Sequence, residues 1–153
     1  MLVCGDAKAE IAFCTQAFAA VELSRRSAPD GSVTHATLKI GGTMIMVHSE
    51  VAHLASRAPQ QDESSSVVIY LFVDDADAAF MQATSAGARV VLPLKNGQWG
   101  YRVGRVIDPS GHVWNIATQI KKEPNQALEP TPTAVTSRAP SGTSRAGSVR
   151  GSS

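Results

Sequence analysis

The chain repeats itself. A shift of 69 residues lays Asp6 on Asp75, Val21 on Val90, Gly42 on Gly111 and Met46 on Asn115 without a gap. Helix caps and hairpin turns therefore agree under one shift, which chance seldom gives. Two copies are too few for a solenoid, so the repeat predicts a pair of similar modules related by a pseudo-two-fold axis.

Each copy reads as strand, helix and three strands. In the first, "MLVC" is a short strand, and Asp6 caps a helix from Ala7 to about Ala20. Its Ile11, Cys14, Phe18 and Val21 recur at helical spacing. "VELSRRSA" is a strand, and Pro29, Asp30 and Gly31 turn the chain. "VTHATLKI" and "TMIMVHSE" form a hairpin around Gly41-Gly42. After a polar link the pattern restarts with "VVIYLFVD" and a helix capped by Asp74 or Asp75 that ends near Gly87. Three more strands follow: "ARVVLPL", "YRVGRVID" and "HVWNIATQ". The first strand is short for its kind, and a longer natural chain or a covering partner is expected at this edge.

The predicted fold class is α+β: two βαβββ modules with curved mixed sheets enclosing a cavity. The modules fall at about 1–50 and 65–120 of one domain, 1–120. From Lys121 the sequence turns to Pro, Thr, Ser, Gly, Ala and Arg, with no aromatic residue and no apolar period. Such a stretch cannot bury enough surface to offset its ordering entropy, so 121–153 is expected to be a disordered tail.

Charge narrows the function classes. With 14 basic and 13 acidic residues the net charge is +1, so no broad basic field points to nucleic acid. No apolar run reaches membrane-spanning length and no signal peptide is visible, which predicts a cytoplasmic protein. Cys4 and Cys14 are too few for a disulfide framework, and no Cys/His cluster has zinc spacing.

The closing stretch "WGYRVGRVIDPSGHVWNIAT" resembles the vicinal oxygen chelate superfamily, which includes glyoxalase I, extradiol dioxygenases, and fosfomycin- and bleomycin-resistance proteins. It is most similar to the PhnB-like branch, with its WG-x-R-x-G-x-x-x-DP-x-GH-x-W pattern. The resemblance covers roughly residues 1 to 120. It implies the paired-module fold but no single chemistry, since that fold hosts lyases, oxygenases and binders. It also implies where a metal would sit: His or Gln on the first strand of each module and Glu on the last. Carried over, those positions are Met46, Val68 and Asn115, with the fourth falling before Met1. A thioether, an alkyl group and a neutral amide are poor ligands for a divalent ion. No metal and no cofactor are expected at this position.

The hairpin sets a register that pairs Thr37 with Met46 and His35 with His48, all on one sheet face with Lys39 and Met44. That mixed face is expected to line the cavity, and the apolar set, Ala36, Leu38, Ile45 and Val47, to meet the helix. The two imidazoles have two readings: a relocated metal or acid–base pair, or histidines bonded to each other, water or ligand. Asn115 either faces the ligand or bonds a neighbouring backbone. Tyr70 shares a face with Val68. Trp99 either covers the pocket or plugs the core, and Arg102 either meets an acidic ligand group or is an exposed strand charge. The expected ligand-binding set is His35, Thr37, Met46, His48, Val68, Tyr70, Trp99, Arg102 and Asn115. The expected function is a metal-free binder of a small organic ligand, working as a homodimer. The competing expectation is a lyase or dioxygenase-like enzyme with a shifted metal or a His35/His48 acid–base pair.

Overall fold

A computed structural model describes residues 1–60 and 65–120. The chain divides into a unit Met1–Lys122 and a second, Glu123–Ser153. The second unit, and with it the expected disordered tail, lies outside the described residues.

The first module runs β1 (Leu2–Cys4), α1 (Ala7–Phe18), β2 (Val21–Ser27), β3 (Val33–Ile40) and β4 (Thr43–Ser49). A short 3-10 turn, Ala52–Leu54, starts the link. The second module runs β5 (Val68–Phe72), α2 (Ala76–Ser85), β6 (Arg89–Asn96), β7 (Tyr101–Ile107) and β8 (Val113–Gln119). The two sheets have equivalent orders, β1-β4-β3-β2 and β5-β8-β7-β6. In each, the first strand lies parallel to the last, and the other neighbours are antiparallel.

Both helices begin as the repeat requires. Asp6 accepts from the Lys8 and Ala9 backbone N–H groups at 2.9 and 3.1 Å, and Asp75 accepts from Ala78 at 3.0 Å. Each satisfies donors that the first helical turn leaves orphaned. α1 stops two residues earlier than its apolar period suggests. Ala19 takes a left-handed conformation (φ 51°), and the chain re-emerges as β2 with Val21 exposed.

The helix-side faces of both sheets meet in one core. α1 and α2 pack against each other, and Phe18 of the first module lies 5.0 Å, centroid to centroid, from Trp114 of the second. Ala36, Leu38 and Val47 from one sheet and Val106, Trp114 and Ile116 from the other are all buried there. Full burial of a large apolar side chain contributes roughly 1.5–3 kcal/mol. Gly104 permits a close approach of helix to sheet: a Cβ there would lie 2.5 Å from the Phe80 ring of α2. With this core between them, each sheet presents its opposite face outward.

Candidate functional site

Backbone register decides which side chains share the outward faces. In the first sheet His35 pairs with His48, Thr37 with Met46 and Lys39 with Met44. The expected set is therefore brought together on one face, while Ala36, Leu38, Ile45 and Val47 lie on the helix side. The imidazoles of His35 and His48 meet edge to face at 5.8 Å between centroids. His48 Nδ1 also bonds the Ser49 carbonyl. Met46 is 48% exposed.

In the second sheet Val68, Tyr70 and Phe72 of β5 lie beside Val113, Asn115 and Ala117 of β8, and β7 adds Val103, Arg105 and Ile107. Tyr70 is 55% exposed and stacks on Phe72 at 5.7 Å, and Phe72 in turn meets Tyr101. Phe72 and Tyr101 border a hollow of about 960 Å³ that Asp74 and Gln119 also line. Another hollow, of about 840 Å³, lies at the module junction beside Leu2, Pro59 and His112, away from these aromatic residues.

Asn115 is the centre of the second face. It is only 4% exposed, and its Oδ1 accepts from Arg105 Nε at 2.8 Å. The amide is thus engaged by a side chain rather than by neighbouring backbone. Arg105 was not among the sequence candidates. Its Nη nitrogens meet no acceptor and it makes no ion pair among the described residues.

Two sequence candidates lie elsewhere. Trp99, in the β6–β7 connection, is 88% exposed and packs neither on the face nor in the core. Arg102 belongs to the helix-side register of β7, opposite Thr118. Its guanidinium grips Asp77 of α2 through Nε (2.6 Å) and Nη2 (2.7 Å), and Nη1 reaches Asn96. That pair holds the Asp77 carboxyl below its usual range.

The metal positions implied by the resemblance hold poor donors. Met46 offers an exposed thioether and Val68 no donor, and the Asn115 carbonyl already faces a guanidinium. A divalent ion needs anionic or lone-pair donors and is repelled by a fixed cation, so this set does not fit one. Among the described residues, no three His, Cys, Asp or Glu side chains gather in a metal-holding arrangement.

The "DPSGHVW" stretch itself works behind the face, at the module junction. Asp108 Oδ1 accepts from the Ser110 and His112 backbone N–H groups, and Oδ2 accepts from Trp114 Nε1 at 2.7 Å. One carboxylate thus fixes both the turn and the indole of the shared core. Facing it from α1 is Glu10, fully buried, whose Oε1 accepts from the Cys14 thiol at 3.3 Å. Among the described residues its Oε2 accepts no hydrogen bond of good geometry, although the Ser110 side chain interacts with the carboxylate. Burial, followed by the negative charge of Asp108, pushes the Glu10 carboxyl up to about 7. Burial also raises both cysteine thiols and lowers His112, whose Nε2 lies 3.5 Å from Cys4 Sγ. Buried neutral thiols of this kind are poor nucleophiles.

Comparison with known proteins agrees with this architecture. Residues 1–116 match the Glyoxalase/Bleomycin resistance protein/Dioxygenase superfamily. An uncharacterized protein of Mycobacterium tuberculosis (strain H37Rv) is 40% identical over 124 residues, which span 79% of this chain and 73% of the relative. Among solved structures, TioX from Micromonospora sp. ML1 aligns with a TM-score of 0.62 and 28% identity, covering 78% of this chain and 94% of TioX. A gene product from Arabidopsis thaliana aligns with a TM-score of 0.62 and 30% identity over 76% of this chain and 93% of its own. Repeat, sheet order and sequence match converge: the chain belongs to the glyoxalase/bleomycin resistance protein/dioxygenase superfamily.

Proposed function

We propose that this chain is a metal-free binder of a small organic ligand, which it holds on the outward faces of its sheets. The observation that carries the reading is the Arg105–Asn115 pair. At the position where metal-dependent relatives would carry a carboxylate, this chain has a buried amide, and a guanidinium cation bonds it. The surrounding face suits an organic ligand, with apolar area from Met46, Tyr70 and Phe72 and a few polar groups to fix orientation. Those side chains are too apolar and too exposed for a face left to water. A second copy of the chain closes over them, so the working unit is a homodimer with an enclosed cavity. No helix among the described residues is long and apolar enough to cross a membrane. The cytoplasm is the proposed location.

The enzyme reading keeps one specific support, the facing imidazoles of His35 and His48. Elemental analysis of protein purified without added metal separates the two. The binder carries metal at background level, and Asn115→Ala weakens ligand retention without changing that level. Stoichiometric metal, lost in His35→Ala or His48→Ala, would overturn the binder in favour of the enzyme.

A further inference from the structure

The eight strands carry seven basic residues but one acid, Glu22, and the charges are sorted by face. Glu22 lies in the helix-side register opposite Leu38 and is held by Arg25 at 2.7 Å. Arg102, also on the helix side, is held by Asp77. The other five basic residues share the outward registers. Arg26 pairs across from His35 and Lys39 from Met44, while Arg89 pairs with Ile107, Lys95 with Val103 and Arg105 with Asn115. None of the five forms an ion pair among the described residues. Glu50, just beyond β4, is 3.8 Å from Arg57.

Within this field Arg105 is distinctive because it is half-buried and oriented. Asn115 takes its Nε–H and adds no charge, so the Nη fork keeps a full positive charge and points its donors elsewhere. An Asp in the same place would orient the fork equally well and cancel it. A guanidinium held by a neutral acceptor is a preorganised receptor for an oxyanion, which it can meet with two parallel N–H bonds. Leu92 across from Arg105, and the Tyr70–Phe72 stack beside Asn115, supply apolar surface next to that fork.

Building on the binding reading above, we infer that the ligand is an organic anion. Its carboxylate or phosphate group sits on the Nη fork of Arg105, Asn115 orients that fork, and its apolar body lies against Tyr70 and Phe72. The scattered cations Arg26, Lys39, Arg89 and Lys95 attract the anion over longer range and do not define its pose. Neutral or cationic ligands gain nothing from the Arg105 fork.

The test is a chemical-shift titration of the full chain with four single-ring probes: benzoate, phenyl phosphate, benzamide and benzylamine. Benzoate or phenyl phosphate is expected to bind at least tenfold more tightly than benzamide, with shifts centred on Tyr70, Arg105 and Asn115. Which of the two anions is preferred identifies the oxyanion. Charged hydrogen bonds of this kind correspond to roughly a tenfold to hundredfold change in affinity. Arg105→Met should remove that preference, and so should Asn115→Asp, which keeps a hydrogen-bond partner for Nε but neutralises the fork. Benzamide binding as well as benzoate, unaffected by either variant, would overturn the oxyanion assignment while leaving a ligand face intact. Tighter binding of a ten-nucleotide single strand than of either small anion would also overturn it. No binding by any probe would sink both this inference and the reading it rests on.

Discussion

Replacing Glu10 by Gln should change how stability depends on pH. The Glu10 carboxyl is raised from an ordinary 4.5 to about 7, chiefly by burial and then by the Asp108 charge. Below pH 4.5 the group is protonated in folded and unfolded chains alike. Between 4.5 and 7 the unfolded chain releases the proton while the folded chain keeps it, so stability falls as pH rises. Above 7 both states are ionised and the loss is complete. Linkage across that window amounts to on the order of 2–3 kcal/mol between pH 5 and pH 8. A proton on Oε2 also makes it a donor towards Asp108, which answers the orphaned oxygen. Gln carries a permanent N–H donor and no charge, so Glu10→Gln should lack this falling limb. Urea unfolding at several pH values between 5 and 8.5 reads the difference directly. The gap between the two proteins should grow with pH in favour of the variant, by on the order of 1 M in midpoint. Parallel curves across the whole range would refute the reasoning, since Glu10 would then contribute geometry and no titrating charge.

Gly104→Ala should destabilise the fold by about 1–3 kcal/mol in thermal or urea unfolding, because the added methyl meets the Phe80 ring at 2.5 Å. Asp108→Ala should cost about 3 kcal/mol or more and increase the solvent exposure of Trp114 fluorescence. It strips the indole N–H and two turn N–H groups of their shared acceptor. Arg102→Met should leave benzoate affinity unchanged within twofold, since that fork is occupied by Asp77 on the helix side.

The sequence made the modules legible because their punctuation is chemical: Asp caps, glycine turns and one consistent shift. The His35–His48 and Thr37–Met46 register followed from the two-residue turn alone. Arg105 escaped because the second hairpin is longer. Ile107 pairs with Val113 across five residues, whereas Ile40 pairs with Thr43 across two. β7 is therefore offset from β3 by 68 residues rather than 69. The true mate of the Arg105–Asn115 pair is Thr37–Met46, although the gapless shift lays Arg105 on Ala36. A one-residue gap at that turn brings the two pairs into alignment. The near-zero net charge hid the basic faces for a related reason: sorting by sheet face is invisible to a sum. Glu10 reads in sequence as an ordinary first-turn acid. Its burial comes from the Asp108 turn of the other module, and no local period encodes a contact at that separation. Arg102 and Trp99 were adjacent to the right motif, but strand parity and a loop tip carried them away from the face.

The core that joins the modules also bears on cooperativity. Phe18 is covered by Trp114, and Trp114 is fixed by Asp108, which faces Glu10 from across the junction. Neither half can keep its aromatic residues dry alone, and a separated first module would expose Phe18 and Glu10 together. Repetition in the sequence thus does not become modularity in unfolding. The two copies should therefore lose their structure in one transition, with Trp114 and Phe18 exposed at the same denaturant concentration.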